Sequence, residues 1–218
     1  MKPFVRLIVF DLDGTLVDSV EDICVSVNAA LGALKIPPLP HEKIRGYIGD
    51  GESNLIQRVL PPDKTELFQE AYKHYLDYYG KHLVDSTRPY PGVVEALAKW
   101  RGEYRMAVLT NKRYSFSKIM LDGLSLSRFF FAIRGGDSFP TRKPDPQGLL
   151  SIIREAGATP DQTMMVGDMK NDILTGKAAG AITCGLTYGI RPDQLMACPP
   201  DFLADRFPDL FELIQPAI

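Results

Sequence analysis

The chain contains 218 residues, with 27 acidic and 25 basic side chains, a formal net charge of -2 and 45% hydrophobic residues. This balance is typical of a soluble globular protein, and the length allows one large domain or a moderate domain that carries a smaller insertion. A nearly neutral charge without a basic run argues against nucleic acid or an anionic membrane surface as the main partner.

The cysteines indicate a compartment. Cys24, Cys184 and Cys198 are odd in number and scattered along the chain, which favours reduced thiols over a disulfide framework. The first residues contain no small-residue cleavage site of a signal peptide, and no stretch approaches the roughly 18 apolar residues of a membrane span. We therefore expect a cytoplasmic protein.

The first elements of the chain are a strand and then helices. Residues 5–10 are apolar and partly β-branched, which predicts a buried strand that ends at Asp11. Apolar residues then recur at helical spacing over residues 20–34, after Ser19 as a candidate N-cap, and a proline cluster ends this helix. A second helical pattern follows Asp63, and no strand is predicted between the first strand and about residue 85.

From about residue 90 the pattern alternates. The predicted elements are helix 93–100, strand 104–109, helix 114–124, strand 130–133, helix 146–156, strand 163–166, helix 171–179 and strand 182–186. Strands that alternate with helices imply right-handed crossovers and a parallel sheet covered on both faces. We predict an α/β fold, with a doubly wound, Rossmann-like parallel sheet as its core and a small all-helical domain inserted after the first strand.

The end of the first strand carries two acids. Ligands of open α/β sheets bind beyond the carboxyl ends of the strands, where Asp11 and Asp13 can face one site and Gly14 permits a tight turn. Clustered carboxylates repel each other and are costly to bury unless a cation shares the site, so the pair suggests a hard divalent metal such as Mg²⁺. A polar turn with an Asx cap is the alternative interpretation.

The ends of later strands carry complementary groups. Thr110 and Asn111 offer a hydroxyl, an amide and nearby backbone N–H groups, which suit phosphoryl oxygens. Prolines after Lys143 fix an extended approach to the next helix and could hold the lysine in one direction. Asp168 and Asp172 again place carboxylates at a strand end. Each feature alone is common, but together they predict a single site.

In this order, the strand ends resemble the four motifs of the haloacid dehalogenase superfamily of phosphohydrolases. Residues 11–15 match the first motif, Thr110 the second, Lys143 the third, and Gly167 with Asp168 and Asp172 the fourth. The resemblance covers nearly the whole chain. All four motifs together are a specific signal, whereas any one of them alone is weak.

The same resemblance implies a division of the chain. The helical insertion is similar to the type 1 cap of that superfamily, which implies a core domain of residues 1–15 and 89–218 and a cap domain of residues 16–88. A cap in this position can close over the site, exclude water and supply specificity contacts.

A glycine-rich stretch, residues 44–53, resembles the specificity loop of phosphoglycolate phosphatases. This implies that Arg45, Gly49 and Gly51 bind the substrate and that the substrate is 2-phosphoglycolate or a similarly small phosphorylated metabolite. Two acids in the stretch would repel a substrate carboxylate unless they point away, while Arg45 could attract it. Glycines that serve only as turn residues are the alternative.

The resemblance also implies a mechanism, in which Mg²⁺ assists hydrolysis of a phosphate monoester through an aspartyl-phosphate. Asp11 would be the nucleophile, and Asp13 the general acid and then the base. The side chains of Asp11 and Asp168 and the backbone carbonyl of Asp13 would hold the metal, with Asp172 contacting those ligands. Three side chains would bind the nonbridging phosphate oxygens: Thr110, Asn111 and Lys143.

Other functions remain open from the sequence. Asp13 disfavours dehalogenation, because a halide leaving group needs no proton. A phosphosugar mutase would share the whole core, as would a phosphatase for sugar phosphates or pyrophosphate. A regulatory module with an inactive core is a third class, which the retained motif residues disfavour. We expect a monomer or a homodimer.

Overall fold

The structure, a computed structural model, describes residues 2–216. Its strands are β1 (Phe4–Val5), β2 (Leu7–Phe10), β3 (Val17–Asp18), β4 (Arg88–Pro89), β5 (Arg105–Leu109), β6 (Ala132–Arg134), β7 (Thr163–Gly167), β8 (Ile182–Leu186), β9 (Phe202–Ala204) and β10 (Gln215–Pro216). Met1, Ala217 and Ile218, which the predicted core domain includes, lie outside the described residues.

Six strands form the central sheet in the order β6-β5-β2-β7-β8-β9, and all their pairings are parallel. The first of them, β2, lies in the middle, where Phe10 is paired with Val108 of β5 and with Val166 of β7. The chain passes first to β5 on one side and later to β7 on the other, which makes the ends of these three strands a topological switch point. The residues that follow β2, β5 and β7 are therefore brought together.

The α-helices are α1 (Val20–Ala33), α2 (His41–Arg45), α3 (Glu52–Val59), α4 (Phe68–Tyr79), α5 (Val93–Trp100), α6 (Tyr114–Gly123), α7 (Gln147–Ala156), α8 (Lys170–Ala179) and α9 (Asp193–Ala197). No helix in the described part of the chain is both long and apolar enough to cross a membrane.

Both faces of the sheet are covered. Ile8 and Phe10 belong to one apolar cluster, which includes residues of α5 and α6, whereas Leu7 and Val9 belong to a second cluster, which includes residues of α7. This alternation follows from the two-residue period of a strand. The predicted doubly wound parallel α/β fold is confirmed.

The first strand is shorter than predicted. Residues 5–10 were expected to form one strand, but the chain divides at Arg6, because β1 pairs with β10 in a separate ladder while β2 enters the central sheet. Short apolar runs do not reveal which partner each residue has, so the prediction of a single strand was wrong in its extent.

Helices α1 to α4 form the insertion after β2. Buried Tyr75 and Tyr79 of α4 belong to the same apolar cluster as Ile23 and Val27 of α1. The chain enters and leaves the insertion through an antiparallel ladder between β3 and β4. The expectation that this region contains no strand before about residue 85 was therefore wrong, since a two-residue strand gives no periodic signal.

Helix α1 begins after Ser19, as predicted, but the serine does not cap it. The Ser19 hydroxyl instead donates a hydrogen bond to Asp13 Oδ1 at 2.5 Å. The return of the insertion is fixed by buried Asp22, whose carboxylate accepts hydrogen bonds from the backbone N–H groups of Ser86 and Thr87 and from the Thr87 hydroxyl.

Candidate active site

Three buried carboxylates meet at the carboxyl edge of the sheet. Asp11 directly follows β2, Asp168 directly follows the neighbouring strand β7, and Asp172 lies in the first turn of α8. One oxygen of each carboxylate lies within 4.8 Å of the others. The cluster exists because adjacent parallel strands end at the same edge and the turn after β7 leads at once into a helix.

Asp168 shows how costly this arrangement is. Burial raises the pKa of Asp168 well above its usual range, and the charges of Asp172 and Asp11 raise it further. Hydrogen bonds from the Ile190 N–H at 2.7 Å and the Thr15 hydroxyl at 3.1 Å act in the opposite direction. A buried set of hard carboxylate oxygens that disfavours its own ionisation fits a divalent cation such as Mg²⁺.

A buried lysine compensates part of this charge. Lys143 Nζ lies 2.9 Å from Asp11 Oδ1 and 2.5 Å from Asp172 Oδ1. Burial disfavours the ammonium, but Asp11 and Asp172 outweigh this effect and hold the pKa of Lys143 above its ordinary value. The expected phosphate ligand is thus placed against the expected nucleophile.

A second lysine occupies the other side of the site. Lys112 Nζ lies 3.0 Å from Asp13 Oδ2 and donates a hydrogen bond to the Tyr79 hydroxyl at 2.7 Å. Burial disfavours its charge, but Asp13, Tyr75 and Glu52 together outweigh burial, and the pKa of Lys112 is raised. Sequence reasoning missed this residue, although it directly follows the strand-end pair Thr110 and Asn111.

Asn111 links three parts of the site. Its Nδ2 donates to the backbone carbonyl of Gly49 at 2.9 Å and to that of Lys143 at 3.0 Å. Its Oδ1 is buried and has no hydrogen-bond partner among the described residues. Beside it, Thr110 Oγ1 accepts the Lys112 N–H at 3.3 Å.

Part of this site borders a small cavity of about 40 Å³. The residues that line it are Asp11, Asp13, Ile23, Ile48, Gly49, Gly51, Glu52, Leu55, Tyr75, Thr110, Asn111, Lys112 and Met169. A volume of this size holds only a few water molecules. The cavity joins the sheet edge to the insertion, whose apolar side chains form one wall.

The glycine-rich stretch approaches the sheet edge closely. Gly49 and Gly51 have φ values of 122° and 87°, a region that favours glycine. A Cβ atom at Gly49 would collide with the Met169 sulfur, and one at Gly51 would collide with the Arg142 side chain. The absence of side chains at these positions lets the loop backbone form part of the cavity.

The two acids of this stretch differ. Asp50 is paired with Arg58 at 2.6 Å and accepts a hydrogen bond from Asn171 at 2.7 Å. Glu52 is buried, lines the cavity and accepts the Arg113 N–H at 2.9 Å. Only one of the two therefore adds negative charge to the cavity wall.

Arg45, which was predicted to bind the substrate, contacts the loop after β8. Its Nε donates to the Ile190 carbonyl and its Nη2 to the Gly189 carbonyl, both at 3.1 Å. It is not among the described residues that line the cavity. Arg45 ties α2 to the loop after β8, and the structure does not bring it together with the other predicted substrate ligands.

The chain has a Rossmann-like α/β fold, in which the ends of the parallel strands bring acids, lysines and an amide together beneath a helical insertion. A polar site at this position is typical of an enzyme. Residues 8–186 match the family of haloacid dehalogenase-like hydrolases. The chain belongs to that family, which confirms the resemblance inferred from its motifs, and it is a hydrolase.

Two relatives and one solved structure are similar to nearly the whole of this chain. A phosphoglycolate phosphatase from Neisseria meningitidis is 37% identical, over 97% of this chain and 94% of its own. Phosphoglycolate phosphatase 1 from Pseudomonas aeruginosa is 40% identical, over 94% of this chain and 78% of its own. The crystal structure of a protein from Haemophilus somnus 129PT, described as a predicted phosphoglycolate phosphatase, superposes with a TM-score of 0.89 and 32% identity, covering 95% of this chain and 97% of the other.

Proposed function

We propose that the protein is a Mg²⁺-dependent phosphate monoester hydrolase that acts through an aspartyl-phosphate on 2-phosphoglycolate, to give glycolate and phosphate, or on a similarly small phosphorylated metabolite. The observation that carries the proposal is the pair of carboxylates after β2. Asp11 is held by Lys143 at 2.9 Å, and Asp13 by Lys112 at 3.0 Å. Two neighbouring acids in different environments can take two different roles.

In the proposed reaction, a carboxylate oxygen of Asp11 attacks the phosphorus and the ester P–O bond breaks. Asp13 gives its proton to the leaving oxygen, which departs as the alcohol. Asp13 then takes a proton from a water molecule, whose oxygen attacks the aspartyl-phosphate and restores the Asp11 carboxylate. Two transfers replace one direct attack of water on a very unreactive ester.

Two further core residues have distinct proposed roles. Thr110 Oγ1 accepts the Lys112 N–H, which leaves the Thr110 O–H to donate to a phosphate oxygen. Asn111 was expected to bind phosphate oxygens, but its Nδ2 donates to the Gly49 and Lys143 carbonyls, so we propose that it instead holds these backbone segments in place. Lys143 would bind a phosphate oxygen as Asp11 attacks, and would so stabilise the negative charge of the transition state.

The carboxylate cluster fits Mg²⁺ because its donors are hard oxygens and Asp168 is not easily ionised without a cation. The side chains of Asp11 and Asp168 and the carbonyl of Asp13 would hold the ion, and Asp172 would contact Lys143 and these ligands. When bound, Mg²⁺ supplies positive charge that reduces repulsion between the nucleophile and the phosphate.

We propose that residues 16–88 act as a cap over a core of residues 1–15 and 89–218. Hydrogen bonds that join the insertion to the core support this division. They connect Asn111 with Gly49, Asn171 with Asp50, and Arg191 with Gly46. With these bonds formed, bulk water is kept from the aspartyl-phosphate until the alcohol leaves.

The relatives named phosphoglycolate phosphatase favour a small acidic substrate over a sugar phosphate. A phosphosugar mutase remains the second candidate because it would use the same core residues, and it would isomerise a sugar phosphate without net phosphate release.

The proposal is tested by phosphate release from 2-phosphoglycolate with Mg²⁺, with EDTA, and with an Asp11→Asn variant. Chelation should abolish release, and the substitution should lower kcat by about 10⁴-fold or more, the scale on which removal of a nucleophile acts. The variant's circular dichroism and thermal unfolding control for loss of fold. Near wild-type turnover by Asp11→Asn would refute the nucleophile, and a lack of preference for 2-phosphoglycolate over sugar phosphates and pyrophosphate would refute the substrate.

A further inference from the structure

Lys112 is a buried cation whose part in the proposed hydrolysis is limited to holding Asp13. Its side chain is 4% exposed. The backbone on either side is held in place, because the Lys112 N–H donates to Thr110 Oγ1 at 3.3 Å and its carbonyl accepts the Gly136 N–H at 2.7 Å. A lysine buried this deeply is costly unless its charge has a use or a permanent partner.

The position of the ammonium assigns it to the leaving-group side of the cavity. Lys112 Nζ is 3.0 Å from Asp13 Oδ2, and Asp13 is the residue proposed to protonate the leaving oxygen. Lys143 instead contacts Asp11 and Asp172, on the side of the nucleophile. In the proposed reaction, Lys143 therefore lies on the side of the attacking oxygen and Lys112 on the side of the leaving oxygen.

The charges around the cavity show what the leaving group can carry. Three acids line it, Asp11, Asp13 and Glu52, and among the described lining residues Lys112 is the one with a cationic side chain. Arg45 is the other candidate for binding an anionic group, but its Nε and Nη2 donate hydrogen bonds to carbonyls of the loop after β8. A second anionic group on the substrate would therefore meet its compensating charge at Lys112.

We propose that Lys112 determines substrate specificity by binding the carboxylate of a short phosphorylated hydroxy acid. The Lys112 ammonium would contact this carboxylate beside the leaving oxygen. This inference rests on the proposed function and deepens it by naming the residue that recognises the acid. Tyr79 of α4 supports the ammonium from the insertion, since its hydroxyl accepts a hydrogen bond from Lys112 Nζ at 2.7 Å. Ile23, Ile48 and Leu55 close the apolar wall and keep the acid short.

The inference is tested with two esters of similar length. 2-Phosphoglycolate carries a carboxylate where 2-hydroxyethyl phosphate carries a neutral hydroxymethyl group. The readout is the ratio of their kcat/KM values. Wild-type protein should favour the acid by at least about tenfold, and Lys112→Met should lower this ratio by about 10–100-fold, as expected for the loss of a charge-assisted hydrogen bond in a buried site. Lys112→Arg, which keeps the charge, should retain part of the preference.

Lys118→Met is the matched control, since it removes an exposed lysine that is paired with Asp122 on α6, and it should leave the ratio unchanged. Equal losses on both esters in Lys112→Met would mean that Lys112 only positions Asp13, and the inference would be overturned while the proposed function stands. Equal turnover of the two esters by the wild-type protein would also overturn it, and needs no variant to fold. If wild-type protein released phosphate from neither ester, the proposed function would fail first and the inference with it.

Discussion

The two buried lysines of the site have different kinds of partners. Lys143 contacts Asp11 and Asp172, which both belong to the sheet and its following helix. Lys112 contacts Asp13 on the sheet side and Tyr79 on helix α4 of the insertion. Lys143, Asp11 and Asp172 form the first centre, which lies wholly within the α/β core. Lys112, Asp13 and Tyr79 form the second centre, which exists only where the insertion meets the core. We therefore expect changes at Lys143 to affect every substrate alike, and changes at Lys112 or Tyr79 to alter selection among substrates.

The largest effect should come from breaking the first centre. Lys143→Met leaves Asp11 and Asp172 without their cation, and we expect kcat/KM to fall by about 10³-fold for every phosphate ester. The loss should be equal for acidic and neutral esters. A Lys73→Met variant, which removes an exposed lysine paired with Asp77, is the control. A loss confined to acidic substrates would contradict the separation of the two centres.

A second change, at Asp168 beside the first centre, separates stability from activity. The pKa of Asp168 is raised in the folded protein, so its neutral form favours folding at low pH and this contribution is lost as pH rises from about 4 through the folded pKa. Metal-free protein should therefore be more stable near pH 5 than near pH 8. Asp168→Asn should raise the metal-free Tm at pH 7.5 by about 2–4 °C and lower activity by at least about 100-fold.

Thermal unfolding in EDTA across this pH range is the measurement, and addition of Mg²⁺ is its control. Mg²⁺ should stabilise wild-type protein more strongly as pH rises, and should stabilise the Asp168→Asn variant little. A metal-free Tm that does not vary with pH, or a variant less stable than wild type at pH 7.5, would show that burial of this carboxylate does not strain the fold.

The smallest effect sharpens the second centre. Tyr79→Phe removes the hydroxyl that accepts the Lys112 hydrogen bond but keeps the ring, which packs edge-on against Phe116. The preference for an acidic over a neutral ester should fall by about 2–5-fold, on the scale of one net hydrogen bond. Tyr78→Phe on the same helix is the matched control. An unchanged preference in Tyr79→Phe would mean that the core alone places Lys112.

The two centres also differed in how well the sequence predicted them. Asp11 and Asp168 each follow an apolar run that marks a buried strand, and parallel strands end at one edge, so pattern alone predicted that they meet. The burial of Lys112 depends on Tyr79, 33 positions away, and helix packing at that range leaves no local signal. In the same way, the partners of Arg45 after β8 lie more than a hundred residues further along the chain, so no local pattern predicted its hydrogen bonds.

Strands at the edge of the sheet were also hard to predict, because they depend on long-range contacts. Strand β9 contains three residues, and its place beside β8 is fixed by Asp201, whose carboxylate accepts the Thr183 N–H and hydroxyl. A segment this short carries no periodic pattern, so its structure depends on contacts that only the folded chain supplies.

The short ladder between β3 and β4 bears on how this protein tolerates change in length. Because Val17 pairs with Pro89 and Asp18 with Arg88, the chain departs from the core and returns to it at hydrogen-bonded neighbours. A segment whose two ends meet at that ladder could replace the intervening residues without moving the ends of β2 and β7, but it would remove the contacts of Ser19 with Asp13 and of Tyr79 with Lys112. We therefore expect such an exchange to alter the surroundings of Asp13 and Lys112 and to leave Asp11 and Asp168 in place.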